Sequence, residues 1–440
     1  MSTMMHARWI RGLGLLSSLL LAMAAGAELP QYDGKVHEGV ASCASSVCHG
    51  ATIERSGTNV LQNAYVTWTR YDKHAGAYNV LLNEQSKRIA RNLGLPNAHE
   101  ADLCLDCHAD NVPEELRGAD FDITDGVGCE ACHGGSEDWI ARHTAPEATH
   151  ADNIAHGLFA TDDLTARTDL CLSCHLGTED KFATHRIMGA GHPRLSFELS
   201  TFTELEPPHW ARDADYAQRK GLETAVTTWT TGLLASARHT LSLLEGRLVH
   251  EAGLFPEIAL FDCHACHHPM SDKRWAPTRL TQGLDPGAIR LNDAQFALLL
   301  PVAEAVDGAA AVELLAGLQA LNASVATGFD AFKAATTQLS AAVDRLEGAL
   351  EAPLSSDAQE VALAALIRAG ARGDYRDYVL AEQAAMALDV LLLSTARWDS
   401  SRPAMDRVFA SVDDEDRFDA GAFASAVGAL SAGLRVGARP

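Results

Sequence analysis

The sequence predicts a mostly α-helical protein in two unlike parts, a loop-rich region that carries every cysteine and an antiparallel helical bundle that follows it. All ten cysteines lie between Cys43 and Cys266, and neither cysteine nor histidine occurs after His268. From residue 288 onward alanine and leucine dominate, and apolar residues recur at spacings of three, four and seven, which is the period of a helix. Runs of alternating β-branched residues, which would indicate strands, are weak throughout the chain.

The composition excludes several classes of protein. Of the 440 residues, 47% are hydrophobic, 21% charged and 6% aromatic, a balance that rules out a disordered or fibrous chain. Lysine and arginine number 35 and aspartate and glutamate 58, which gives a formal net charge of −23. So acidic a surface repels a phosphate backbone, which argues against a nucleic-acid partner. It would attract protein partners with basic docking surfaces.

Residues 1–27 are typical of a secretory signal peptide. Arg8 and Arg11 form a positive n-region, Gly12 to Ala24 is a short apolar run, and Ala25-Gly26-Ala27 offers small residues before a cleavage site. Cleavage after Ala27 would deliver the mature protein to the periplasm or otherwise outside the cytoplasm. A retained anchor is the alternative, but the apolar run is shorter than the roughly 20 residues of a spanning helix. We expect no integral membrane segment in the mature chain.

The cysteines form five pairs, and a histidine directly follows each pair. Four pairs have the spacing C-x-x-C-H, and the first has four residues between its cysteines. The five motifs are Cys43/Cys48/His49, Cys104/Cys107/His108, Cys129/Cys132/His133, Cys171/Cys174/His175 and Cys263/Cys266/His267. Two thiols at this spacing can add to the two vinyl groups of a haem, and the adjacent histidine can bind the iron. The sequence therefore predicts five covalently attached haems c, with these five histidines as proximal ligands.

Three other interpretations explain the motifs less well. Zinc sites also favour C-x-x-C pairs, but zinc does not require a histidine after the second thiolate of every pair. Five disulfides would suit an exported protein but do not explain the histidines. For the first motif, a Cys43–Cys48 disulfide beside an unrelated His49 stays open, because its spacer is wider than the usual two residues.

The surplus of histidines predicts distal ligands and therefore six-coordinate, bis-histidine iron. Of the 19 histidines, His6 lies in the predicted leader and five follow cysteine pairs, which leaves 13. The candidates for distal ligands are His74, His143, His192, His185 and His239. A role away from the iron stays open for each. We expect other roles for His37, His99, His150, His156, His209 and His250. Met188 and Met270 could donate a thioether sulfur, but packing is the preferred interpretation.

Part of this region resembles the cytochrome c-554 family of four-haem electron carriers. The resemblance rests on Asp125-Gly-Val-Gly-Cys129-Glu-Ala-Cys-His-Gly134, on His143 ten residues after His133, on the flanking motifs in matching order, and on the Trp68…His74 segment. It covers about residues 36–250. It implies a mostly helical, loop-rich fold around closely spaced haems, some of them stacked in parallel pairs. It also implies that His74 and His143 reach haems other than their sequence neighbours.

The resemblance further implies a five-coordinate second haem, at Cys104, Cys107 and His108, with an open iron face. Two features depart from the family. The first motif has the wider spacer, and the fifth motif lies beyond the family's core, where with Trp275 it resembles the terminal haem of larger multihaem cytochromes. One of the extra histidines is therefore a candidate to close the second haem.

We expect a pentahaem cytochrome c domain over 28–275, a linker over 276–287 and a helical bundle over 288–440. Predicted helices cover about 222–248, 329–350, 357–370, 375–397 and 418–435. The acidic run Asp413 to Asp416 is expected to be a solvated helix start and not a metal site. The bundle is long enough to bury its own core and offers a surface for a homo-oligomer.

Three functions are compatible with these motifs. The preferred one is an exported electron carrier that passes electrons between redox partner proteins through closely spaced, mainly bis-histidine haems, with no catalytic residue. The second is a multihaem oxidoreductase that acts on a small nitrogen or sulfur species at an open iron. Against it, all five motifs end in histidine and none in the lysine of nitrite-reductase type motifs. The third is a subunit of a haem filament or conduit.

Overall fold

The computed structural model describes residues 28–56, 60–250, 257–268, 277–285 and 287–437. Within these ranges the regular structure is helical, and strand-like pairing is limited to two isolated bridges, His37–Arg117 and Phe261–Leu291. The predicted mostly α, loop-rich fold class is confirmed. The predicted leader with its cleavage site, Met270, Trp275 and the side chain of His250 lie outside what the structure describes.

The cysteine-bearing region consists mainly of short helices joined by loops. Its α-helices are α1 Val40–Cys43, α2 Ala64–Tyr71, α3 Ala77–Val80, α4 Glu84–Leu93, α5 Asp102–His108, α6 Glu130–His133, α7 His150–Ala155, α8 Leu164–His175, α9 His185–Gly189, α10 Leu199–Leu205, α11 Ala214–Lys220, α12 Ala225–Glu245 and α13 Arg247–His250. Its 3₁₀ helices are Pro30–Tyr32, Lys73–Gly76, Ala98–Glu100, Glu114–Leu116, Ile123–Asp125, Ile258–Leu260 and Cys263–Ala265.

The C-terminal region is a bundle of longer helices. They are α14 Ala294–Val306, α15 Gly308–Ser324, α16 Phe329–Ala349, α17 Ser356–Ala371, α18 Tyr378–Ser394, α19 Trp398–Ala410 and α20 Ala420–Gly437, with a 3₁₀ helix at Glu415–Arg417. Several begin at side-chain caps that the sequence supplies, since Asp307, Ser355 and Asp377 each accept a hydrogen bond from a backbone N–H of the first turn. The helices predicted near 222–248, 329–350, 357–370, 375–397 and 418–435 are confirmed as α12, α16, α17, α18 and α20.

Three helices of the bundle were not individually predicted. Most side chains of α14 are buried, so this helix lacks the apolar stripe by which an amphipathic helix is recognised. The alanine- and glycine-rich α15 also lacks a distinct apolar stripe, because its buried residues are spread along its length. In α19 an internal proline, Pro403, interrupts the pattern that would otherwise indicate a helix.

One continuous apolar core links α12 with the bundle. It runs from Val226 through Leu430 and includes Trp229, whose side chain is fully buried. Helix α12 packs against α14, α16 and α18 of the bundle and also against α8 and α10 of the cysteine-bearing region. It therefore joins the two regions. Among the residues described, no helix combines the length and apolarity needed to cross a membrane.

A buried polar cluster ties the fifth motif to the bundle. Arg290 donates from Nη1 to Asp377 at 2.9 Å and from Nε to Asp293 at 3.0 Å, and Asn322 donates to Asp293 at 2.8 Å. The backbone N–H of Asp262, one residue before Cys263, donates to the Arg290 carbonyl at 2.9 Å. The position of the last motif is thus fixed by contacts with the bundle.

Candidate metal centres

Each motif histidine faces one histidine from a distant part of the chain. The ring centroids are 6.2 Å apart for His49–His143, 6.2 Å for His175–His74, 6.3 Å for His108–His192, 6.2 Å for His133–His209 and 6.3 Å for His267–His185. The near-identity of these five distances indicates a common geometric requirement.

The spacing fits a metal held between two imidazoles. A metal–imidazole bond is about 2.0–2.1 Å long, so two rings that bind one metal from opposite sides have centroids about 6.3 Å apart. The five observed distances, 6.2–6.3 Å, match this value. Direct ring stacking would bring the centroids closer, as for His175 and Phe197 at 4.5 Å. The residues present therefore fit a metal ion, such as the iron of a haem, that would be held between two histidines.

Hydrogen bonds orient four of these rings. The Nδ1 atom of His74 contacts the Asp72 carboxylate at 2.9 Å, and that of His108 contacts the Ala77 carbonyl at 3.1 Å. His143 and His192 make the same kind of bond, to the carbonyls of Ile140 at 2.5 Å and Pro193 at 2.7 Å. A metal-bound imidazole characteristically uses its second nitrogen in this way, which leaves Nε2 for the metal.

Local helix geometry builds the motifs. Helices α5, α6 and α8 each end at the motif histidine, and α5 and α8 also contain both cysteines of their pair. Cysteines three residues apart lie on one face of a helix, so both thiols can reach one edge of a planar group. The helical turn thus brings two thiols and one imidazole to the same place.

The first motif, despite its wider spacer, has the same backbone hydrogen bond between its histidine and its first cysteine as two other motifs. The N–H of His49 donates to the Cys43 carbonyl at 3.2 Å, as His133 donates to Cys129 at 2.9 Å and His267 to Cys263 at 2.7 Å. The loop is tightly folded, because a side chain at Gly50 would lie only 1.9 Å from the Ala44 carbonyl oxygen. The two extra residues therefore bulge outward, and Val47 in this loop is largely exposed.

Burial favours the neutral form of several of these imidazoles. Burial, with a smaller contribution from His209, lowers the pKa of His133 to about 4. Burial, with a smaller contribution from His74, likewise lowers the pKa of His175 to about 4. His74 differs, since its hydrogen bond with Asp72 raises its pKa. A neutral imidazole is the form that binds a metal.

The proximity of thiols relates the motifs to one another. The Cys43 thiol, which lies near Cys129, is the main reason that the pKa of Cys129 lies well above its usual range. In the same way, the nearby Cys174 thiol raises the pKa of Cys107. Burial raises the pKa of Cys132, and the neighbouring Cys171 adds to this effect. Motifs 1 and 3, 3 and 4, and 4 and 2 are therefore neighbours.

The structure separates the sequence-predicted distal candidates. His74, His143, His185 and His192 each face a motif histidine, whereas the Nε2 atom of His239 contacts Asp169 at 3.0 Å. His74 and His143 face the motif histidines of the fourth and first motifs, the crossing that the family resemblance implies. Across from His108, where the resemblance implies an open face, lies His192.

His209, which faces His133, is not among the distal ligands that the sequence predicts. It stands in the sequence Pro207-Pro208-His209-Trp210, where no helical spacing indicates its direction. The indole of Trp210 lies edge-on to its ring at 4.9 Å, and an aromatic neighbour after two rigid prolines is the signal that was available.

The remaining histidines have other neighbours. His37 is fully buried and contacts Asp110 at 2.8 Å, His150 contacts Asp162 at 2.8 Å, and His156 contacts the Asp152 carbonyl at 2.6 Å. His99 lies edge-on to the ring of Tyr78. Met188 lies on α9 between His185 and His192 in the sequence.

Comparison with known protein families gives a match to part of the chain. Residues 42–134, which contain the first three motifs, match the family model described as cytochrome c554 and c-prime. No curated protein and no solved structure matches the chain.

Proposed function

We propose that the chain is an exported electron carrier with five covalently attached haems c. The match of residues 42–134 to the cytochrome c554 and c-prime family supports a c-type cytochrome that takes part in electron transfer. The observation that carries the proposal is the set of five facing histidine pairs, each with centroids 6.2–6.3 Å apart. The five cysteine pairs would hold the haems covalently, and one motif histidine and one distant histidine would bind each iron.

Closure of all five irons favours electron transfer over catalysis. An oxidoreductase that acts on a small molecule needs an iron with a vacant coordination position. His192, opposite His108 at 6.3 Å, supports a closed second iron, unlike the open one that the family resemblance implies. All five facing pairs lie within one chain, so no ligand from a neighbouring subunit is needed. A filament held together by shared ligands is therefore disfavoured as well.

The proximity of the thiols supports a linear order of the haems. Cys43 lies near Cys129, Cys132 near Cys171 and Cys174 near Cys107, which supports the order first, third, fourth, second. His185 and His192 lie on one short segment and face the fifth and second motifs, so the fifth haem follows the second. Haem supplies one-electron redox chemistry at its iron when bound. The chain's own residues hold the five centres in one unbranched path.

The protein environment influences the reduction potentials along this path and the approach of redox partners. Two imidazole ligands give a lower reduction potential than a histidine–methionine pair. Asp72 accepts a hydrogen bond from His74 and so makes this ligand more basic. The net charge of −23 would steer basic redox partners toward the surface, at rates that fall as ionic strength rises.

The first test is an electron paramagnetic resonance spectrum of the purified ferric protein, with haem quantified on the same sample. We expect five haems per chain, all low-spin. A stoichiometric high-spin signal would contradict the proposal and favour a multihaem oxidoreductase. Four haems would show that Cys43 and Cys48 do not hold one.

The ring angles sharpen this test. The facing imidazoles are nearly parallel for His49–His143, at 12°, and tilted by 32° for His267–His185. In the other three pairs they are nearly perpendicular, at 80–86°. Parallel rings donate to the same iron d orbital and split the d levels, whereas perpendicular rings do not. We therefore expect two rhombic low-spin signals and three of high anisotropy.

A pair of variants tests the ligand assignment. His185→Ala should convert one haem to high spin, because it removes the ring that faces His267. His239→Ala, a matched change at a histidine that instead contacts Asp169, should leave all five haems low-spin. A high-spin signal in His239→Ala and none in His185→Ala would overturn the assignment of the fifth iron.

A further inference from the structure

A tight turn directly after the fourth motif holds one lysine in a fixed position. The turn starts at Gly177, whose φ of +102° disfavours other residues. The N–H of Thr178 donates to the Lys181 carbonyl at 2.9 Å, and the N–H of Lys181 donates to the Thr178 hydroxyl at 3.3 Å. These bonds fix the backbone of Lys181 relative to His175.

Within this turn the acidic side chain of Asp180 points to solvent and the basic side chain of Lys181 is buried. The side chain of Asp180 is 77% exposed and receives a hydrogen bond from Arg247 at 2.9 Å, and Arg247 also donates to the Glu179 carbonyl at 2.6 Å. Lys181, by contrast, is only 6% exposed. Its Nζ donates to the sulfur of Cys174 at 3.2 Å. In the parts of the chain that the structure describes, no carboxylate forms a salt bridge with Lys181.

The ammonium group lies where two motifs meet. The sulfur of Cys174 in the fourth motif lies 3.9 Å from the carbonyl oxygen of Asp106, the residue before Cys107 of the second motif, and the charge of Lys181 acts on both thiols. The carboxylate of Asp106 is also near, but it accepts a hydrogen bond from Asn111 at 2.7 Å. Once both sulfurs are joined to haem, a cation in this position lies beside two haems.

On the basis of the proposed function, we propose that Lys181 is a fixed positive charge that raises the reduction potentials of the haems at Cys174 and Cys107. Reduction adds one electron, supplied by a redox partner protein, and no proton moves in this step. A nearby cation stabilises the added electron, and burial strengthens the attraction because little water screens it. The fourth and second haems then hold electrons preferentially between the ends of the path.

The test is a redox titration of the intact holoprotein, followed by optical spectroscopy, for wild type and three variants. Lys181→Met removes the buried charge, Lys181→Arg keeps it, and Lys87→Met removes a largely exposed charge on α4 as the matched control. Haem content and spin state are measured on each sample.

We expect Lys181→Met to retain five low-spin haems while two of them become at least tenfold harder to reduce, which is about 59 mV for a one-electron couple. Lys181→Arg and Lys87→Met should leave the titration close to that of wild type. Five haems with unchanged potentials in Lys181→Met would overturn this inference and leave the proposed function standing. Loss of a haem from Lys181→Met would assign the lysine to haem attachment and would also overturn it. A wild type without five low-spin haems would instead count against the proposed function itself.

Discussion

The interiors of the two regions of this protein are built from different kinds of side chain. The bundle, together with α12, encloses one continuous apolar core of leucine, alanine and a few aromatic side chains. Among the residues that the structure describes, the cysteine-bearing region outside that core has two small clusters of buried apolar side chains, of six and of three residues. What this region brings together instead is five sets of two thiols and two imidazoles. A chain can thus be organised around apolar side chains in one part and around sites for large planar groups in another.

On the proposed function, the largest expected effect comes from removing the haem of the third motif. Cys129 and Cys132 lie between the first and fourth motifs, so Cys129→Ala with Cys132→Ala should disrupt the cysteine-bearing region and lower the content of several haems. The bundle should persist, because its core is apolar. Haem quantification and limited proteolysis with mass spectrometry would measure both effects.

The matched control is Cys263→Ala with Cys266→Ala in the last motif, where Cys266 is exposed. It should cost one haem and leave the other four in place. Equal haem losses in the two double variants would contradict the view that the third haem is central.

The next effect concerns the cluster that joins the regions. Arg290→Met leaves Asp293 and Asp377 buried without their cation, and breaking a buried ion pair costs about 3–5 kcal/mol. Arg345→Met, which removes an exposed arginine paired with Asp307 and Glu313, should not change stability measurably. Chemical denaturation of both variants would make the comparison, and similar midpoints would refute the role of the cluster.

A truncation within the bundle should separate stability from redox behaviour. Leu366 of α17 is fully buried, and Leu366→Ala should destabilise the bundle by about 3 kcal/mol through lost apolar contact and a cavity. The haem spectrum at room temperature should not change, because no motif lies on α17. Denaturation followed by circular dichroism measures the first quantity, and a changed spin state would show that the regions are more strongly coupled than their separate cores indicate.

The smallest effect concerns pH. Burial, with the charge of Asp377, raises the pKa of Asp262 to about 7 from an ordinary 3.8. The folded protein therefore holds a proton that the unfolded chain releases, so this group's contribution to stability is lost as the pH rises from about 4 to about 7. Asp262→Asn cannot titrate, so wild type should lose roughly 2–3 kcal/mol relative to it between pH 5 and pH 8. Thermal unfolding at the two pH values tests this, and parallel curves would contradict it.

Local features of the sequence were enough to predict the fold class, helix α12, four helices of the bundle and the grouping of thiols with histidine. Each depends on residues close in the chain, such as a helical period or a motif spacing. Facing histidines are a long-range property, and for this reason His239 and His185 could not be told apart and His209 was passed over. The alanine-rich α15 and the proline-containing α19 were missed because packing, and not a local period, determines them.

The facing histidines also imply an order of assembly. On the proposal that the chain is exported from its N-terminus, the motifs at His49, His108 and His133 cross the membrane before their partners His143, His192 and His209. The motifs at His175 and His267 meet His74 and His185 already on the far side. During maturation the first three irons therefore pass through an interval with one open face, in which small ligands can reach them, and the last two do not.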